Sequence, residues 1–459
     1  MNSVSEQKTK MQNNNIISRL NSVCRLSACD RHILDIAVPA IISNITVPLL
    51  GLIDMAIVGH LGAAAYIGAI AVGGMIFNVI YWVFGFLRMA TGGLTAQSVG
   101  REDNDESMRM LVRSLGIALF VAIVLVVLQV PIRMAALALM SPPEHVLQLA
   151  TTYFSICIYG APAVLGLFAL SGWFIGMQDS RTPMFVAIVQ NIVNIIASVV
   201  FVYVFGMKIE GVALGTLTAQ YAGLLIALVA ALRNNMLRSR LRLWISTSWH
   251  ADDVCRFFSV SRDIFLRTVC LVSVMLFFTS AGSWQGEIIL AVNTLLMQMY
   301  MLFSYIMDGF AYAGEALSGK YYGAKDRQAF EKVIKRLFVW GGCLALLFTL
   351  AYAIGGEAFL ALLTNDVGVI QSSANYYLWA VAMPAAGMAA FIWDGIYIGC
   401  TSSRGMLVSM SSAAATFFVV YFGLRYQMLN HALWLAFVLF LVMRGGMQTL
   451  LANRYVYKW

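Results

Sequence analysis

Four carboxylates stand in stretches of this chain that otherwise avoid water. Asp54 lies in NITVPLLGLIDMAIVGHL, Asp308 and Glu315 in DGFAYAGEA, and Asp394 in WDGIYIG. An ionised carboxylate inside a membrane span costs about 2.5–3.5 kcal/mol on insertion scales, so it must face protein or a wet cavity. A group that can be neutral or charged there is suited to taking up a proton on one side and yielding it on the other. Asn44, Asn191, Asn194 and Thr216 are polar candidates around Asp54, or they join helices through hydrogen bonds. Asp308 and Glu315 are seven residues apart and share a helix face. With Asp394 they form either a cation-ligand trio or a set of structural pairs. Arg88, in FGFLRMA, is as expensive as the acids. Trp82, Phe84, Phe86, Phe303, Tyr305 and Phe310 either offer ring faces to a cationic substrate or pack. The 25 methionines suit an adaptable, promiscuous wall.

Other chemistries find no footing. His32, His60, His145, His250 and His431 fall in the tail, loops or span ends, and no HExxH or GxSxG occurs. The seven cysteines show neither metal-ligand spacing nor a disulfide framework. The expectation is a protein that is not an enzyme and binds no metal or cofactor.

The elements that must position these residues are helices in a bilayer. Of 459 residues, 60% are hydrophobic and 11% charged, roughly half the usual charge of a soluble domain; mean hydropathy is +0.79. The bilayer satisfies no backbone groups, so the long apolar stretches read as helices. Twelve spans are expected, near 33–58, 66–99, 111–140, 148–177, 183–206, 210–232, 258–281, 286–319, 333–355, 368–399, 405–424 and 430–452. Lys and Arg crowd the tail, the loops after the second, sixth and eighth spans, and the C-terminus. Only Lys208, Arg425 and Arg133 fall on the other side. By the positive-inside rule both termini are cytoplasmic. The net charge of +8 is therefore topogenic, and no nucleic-acid partner is expected.

The two halves match at a spacing near 222. Tyr153 pairs with Tyr376, Pro162 with Pro384, Gly176 with Gly399, Ser180-Arg181 with Ser403-Arg404 and Gly100 with Gly323. Six spans per half give parallel repeats about an axis along the membrane normal, as in many secondary transporters. The organisation expected is a cytoplasmic tail (1–32), an N-lobe (33–232), a basic inter-lobe loop (233–257), a C-lobe (258–452) and a short tail (453–459). Ala71-Val72 matches Ala291-Val292 at the shorter offset of 220, which sets Arg88 opposite Asp308. That register predicts an inter-lobe ion pair closing the inner side, with pairing inside each lobe as the alternative.

ILDIAVPAIISNITVPLLGLIDMAIVGHLG, FGFLRMATGGLTAQSVG, DGFAYAGEALSGKYYGA and WDGIYIG, in this order, resemble the multidrug and toxin extrusion (MATE) family, nearest its DinF-like branch. The resemblance spans residues 30 to 455. It implies an all-α, V-shaped pair of six-helix lobes in the inner membrane. It also implies export of organic, often cationic, compounds by alternating access, driven by inward protons ahead of sodium. The partners would be a small organic substrate, the coupling cation and the bilayer, and the chain would act as a monomer. By the same resemblance Asp54 matches the aspartate of the first span and Pro39 the proline that bends it. Pro39 and Pro48 each remove a backbone donor and permit a kink. The family's pattern in the fifth span is Asn, three residues, then Asp. Here NIVNIIAS gives Asn194 but Ser198, leaving Asp54 as the sole acid of that cavity. Asp394 resembles an acidic position that some members use for cations. A flippase of lipid-linked precursors, with the same architecture, is the alternative. It needs cationic cavities for phosphates, whereas the buried charge here reads as mainly acidic.

Overall fold

A computed structural model of the chain describes residues 27–59, 64–233, 248–364 and 366–457. Most of the expected tail, and residues 234–247 of the basic loop, lie outside the described residues. Twelve successive membrane-length helices appear among those described: α1 (Ala28–Gly59), α2 (Ala64–Phe84 continued by Phe86–Gly100), α3 (Asn104–Val127 with Gln129–Met140), α4 (Glu144–Cys157 with Ala161–Gly176), α5 (Arg181–Val199), α6 (Ile209–Leu232), α7 (Ala251–Ser283), α8 (Glu287–Gly323), α9 (Arg327–Leu363), α10 (Tyr377–Gly399), α11 (Ser403–Met428) and α12 (Asn430–Tyr455). Eleven are long and apolar enough to cross a membrane, and α1, with 32 residues, has the length. Two helices begin earlier than expected, α1 at Ala28 within the expected tail and α7 at Ala251 within the expected inter-lobe loop. A short helix, Val367–Ser373, precedes α10 where one continuous span was expected.

The repeat is visible atom by atom, at an offset of 223. Asp103 caps α3 through the Glu106 N–H and Asp326 caps α9 through the Ala329 N–H. Glu102 and Lys325 share a left-handed φ, as do Gln178 and Thr401. Gly172 lies against the Arg88 carbonyl as Gly395 lies against that of Ala311, so close that a Cβ would sit 2.2 and 2.1 Å from those oxygens.

Each lobe has its own apolar core, but the first helix of each reaches into the other. Ile33, Ile36 and Ala37 of α1 belong to the C-lobe core, whereas Ile57 at its far end belongs to the N-lobe core. In mirror fashion Phe257, Val260 and Ile264 of α7 belong to the N-lobe core, and Val274 and Phe278 to the C-lobe core. The lobes therefore cross over at the end carrying the basic loops, called the basic end below.

Candidate functional site

In the N-lobe α1, α4, α5 and α6 bring a polar group together. Asp54 is buried, and its Oδ1 finds no hydrogen-bond partner among the described residues. Asp54 lies within electrostatic reach of Tyr153 and Cys157 on α4, and Tyr153 in turn reaches Thr216. Asn194 on α5 donates from Nδ2 to the Thr216 hydroxyl at 3.2 Å. Ser198 stands one turn along α5 against Gly215 of α6, where a Cβ would be 2.2 Å from its Oγ. Asn194 Oδ1 and Ser198 Oγ are also buried and unpartnered. Asp54 Oδ1, Asn194 Oδ1 and Ser198 Oγ are each buried acceptors without a donor, a need that a proton or a small hard cation meets.

The equivalent place in the C-lobe is filled by rings. At the offset of 223, Asp54, Asn194 and Ser198 correspond to Phe277, Phe417 and Tyr421. The Phe277 ring packs against Phe417 at 6.0 Å and Tyr421 at 5.2 Å. One lobe holds buried polar side chains, and its twin holds packed rings.

A second group lies where the lobes meet. Arg88 of α2 donates from Nη1 to Glu315 Oε2 of α8 at 3.1 Å, with its guanidinium 4.2 Å from the Tyr312 ring centre. The expected partner, Asp308, is not the one used. Close packing at Gly172 and Gly395 fixes the 223 register, which aligns Arg88 with Ala311 and Asp308 with Gly85, and Arg88 reaches the carboxylate one turn beyond Ala311. Asp308 itself makes no ion pair or hydrogen bond among the described residues, although Arg88, Arg267, Arg444 and Asp394 lie within its electrostatic reach.

Asp394 is clamped rather than open. Arg267 and Arg444 both donate to its Oδ2, and Gln448 donates to Oδ1 at 2.6 Å. Sequence reasoning missed both arginines. The signal was present, since each interrupts an apolar helix as Arg88 does. Within this group the charge is therefore not mainly acidic, since Arg88, Arg267 and Arg444 balance Glu315, Asp394 and Asp308.

Some expected cavity residues lie elsewhere. Phe303 is fully buried in the C-lobe core against Phe348 and Phe391, because its face of α8 turns from the lobe interface. Asn44 donates across the interface to the Tyr305 carbonyl at 3.2 Å, and Asn191 donates to the Thr46 carbonyl at 3.2 Å. Pro39 is buried within α1.

The basic end is shut by paired contacts. Gln97 Nε2 donates to Thr401 Oγ1 at 3.0 Å, and at the equivalent place Lys320 Nζ donates to Gln178 Oε1 at 3.2 Å. Beneath them Gly100 and Gly323 let α2 and α8 touch. A Cβ on either would lie 1.9 or 2.2 Å from a carbonyl of the opposite helix.

The MatE family model matches residues 39–200 and 264–423. The chain is 38% identical over 427 residues, 93% of each chain, to the DNA damage-inducible protein F of Escherichia coli strain K12. In fold it is similar to the Vibrio cholerae MATE transporter VcmN in the bent form, with a TM-score of 0.81 at 16% identity over 94% of this chain and 98% of that one. It is similar, too, to a MOP superfamily transporter from Pyrococcus furiosus, at 0.80 and 17% over 94% and 97%.

Proposed function

The chain belongs to the MatE family, and on that premise we propose that it is a secondary active exporter of organic cations, coupled to inward movement of a proton through Asp54. One observation carries this reading. Asp54 is a buried carboxylate that no basic group neutralises among the described residues, in the lobe whose α5 carries two further unpartnered oxygens, Asn194 Oδ1 and Ser198 Oγ. A proton removes the cost of that charge, and its loss restores it, so occupancy biases one conformation over another. Sodium fits the same oxygens, but Ser198 supplies a neutral ligand where a second carboxylate would favour a metal ion. Asp308 supports a cationic cargo. It is the one acid of the inter-lobe group with no partner, and it has Tyr305 and Tyr312 within reach.

In this reading the protein sits in the inner membrane with the basic end cytoplasmic, so the closed gate corresponds to an outward-facing state. A flippase for phosphate-bearing lipids would need guanidinium groups free to grip phosphate. Arg88, Arg267 and Arg444 are each held by a carboxylate.

The test is Asp54→Asn in proteoliposomes, with proton and sodium gradients imposed separately. Asn keeps the shape and removes the titration, so pH-driven export is expected to stop while the protein still inserts and folds. Full export under a pH gradient by this variant would overturn the role of Asp54. Export driven only by sodium in the native chain would overturn the choice of ion.

A further inference from the structure

The crossing-over of α1 and α7 is secured by two clasps that the repeat relates. Asp30, at the start of α1, lies 3.8 Å from Arg336 of α9 and accepts from Trp340 Nε1 at 3.2 Å. These contacts tie α1 to the C-lobe. At the offset of 223 stand Asp253, at the start of α7, and Arg113 of α3. Arg113 donates from Nη2 to Asp253 at 3.0 Å and from Nε to the Ser248 carbonyl at 2.8 Å, and its Nη1 lies 3.4 Å from Glu106. These contacts tie α7 to the N-lobe. In each clasp the third helix of one lobe grips the first helix of the other by an Arg–Asp pair.

The two are unequal. The Arg113 side chain is 1% exposed and that of Arg336 is 44% exposed. Parting the Arg336 contact, only 3.8 Å long, returns that guanidinium to water at little cost, and Asp30, itself 7% exposed, keeps its hydrogen bonds from the Ser27 N–H and hydroxyl. Parting the other strands a buried guanidinium. Opening the basic end must draw the lobes apart there, so the two clasps cannot respond alike.

We propose that the Asp30–Arg336 clasp is the releasable one, with Arg336 positioning α1 against the C-lobe only while the basic end is shut, and that the Arg113–Asp253 clasp holds α7 to the N-lobe in both states. This rests on the alternating-access reading above. A contact present in only one state shifts the equilibrium when it is removed, whereas a contact kept in both shifts nothing.

Cys400 reports the gate, because it is buried beside Gly399 and Thr401, the partners of Gln97. Maleimide labelling of the full chain in detergent, read by mass spectrometry of the Cys400 peptide, requires neither substrate nor gradient. Failure of the Asp54→Asn test therefore leaves this one standing, and the reverse. Arg336→Gln is expected to raise Cys400 labelling about 1.5- to 5-fold, the range for losing an ion pair whose cation faces water. Arg336→Lys should stay at the native level, and Asp253→Asn should leave Cys400 unchanged. Cys157, buried in the N-lobe core, reports unfolding in the same digest; should Asp253→Asn expose it, the conservative Asp253→Glu is read instead. No rise in Arg336→Gln, or a rise in the Asp253 variant with Cys157 still protected, overturns the proposal.

Discussion

Replacing Arg88 by Met removes the cation from the one ion pair that, among the described residues, joins α2 to α8 across the lobes. The carboxylate left behind belongs to Glu315, which is fully buried. Its second oxygen is already unpartnered and faces Gly92, where a Cβ would come within 1.9 Å. No side chain can swing in from that direction to compensate. Stranding one member of a buried pair costs roughly 3–5 kcal/mol. At about 1.4 kcal/mol per tenfold, the packed lobe interface should be weakened more than a hundredfold. Glu315→Gln alone strands Arg88, but at 12% exposure and above the Tyr312 ring that cation keeps some solvation, so the smaller loss is expected there. The double variant Arg88→Met, Glu315→Gln carries no charge and should recover most of the loss. Exchanging the two residues is the poorer experiment, because an arginine at 315 has no room against Gly92. Unfolding free energies of the four proteins in mixed detergent micelles complete the cycle. A coupling above about 1.5 kcal/mol is expected for residues in direct contact. Losses in the two single variants that add to within about 0.3–0.5 kcal/mol in the double would refute a direct Arg88–Glu315 pair.

The remaining expectations concern Asp394 and the charge moved per cycle. Asp394→Asn leaves Arg267 and Arg444 facing each other without their shared carboxylate, so a loss of about 3–5 kcal/mol should appear as poor yield and early unfolding. A variant as stable as the native protein would show that Asp394 is not the keystone of the C-lobe interior. With Asp54 the one acid of the N-lobe polar group and rings at its C-lobe twin, exchange of one proton for one monovalent cation moves no net charge, provided the C-lobe acids add no ion. A membrane potential, worth about 2.3 kcal/mol per charge per 100 mV, should then add nothing to export. Ser198→Asp supplies a second carboxylate and should make export voltage-sensitive; native export that a potential alone accelerates would contradict the single-proton count.

The sequence by itself determined the helices, their number, the repeat and the presence of a carboxylate, Asp54, inside an apolar helix. Each is legible locally: a backbone in lipid must satisfy its own hydrogen bonds, matched residues recur at a fixed spacing, and a charge in an apolar run must face protein or a wet cavity. It also showed that Asn194 and Ser198 share a face of α5, since they are four residues apart. It did not determine which charge meets which. Offsets of 220 and 223 differ by nearly one helical turn, so both put the matched residues on similar faces and differ by about 4.5 Å in depth. Periodicity is almost blind to that difference. Only the touching of backbones at Gly172, Gly395, Gly100 and Gly323 settles it and hands Arg88 to Glu315. The clamp of Arg267 and Arg444 on Asp394 joins α7, α10 and α12, and the clasps at Asp30 and Asp253 each join one lobe's first helix to the other lobe's third. These are contacts between residues far apart in the chain. Hydrophobic pattern carries no record of them, and they exist only once the helices are packed.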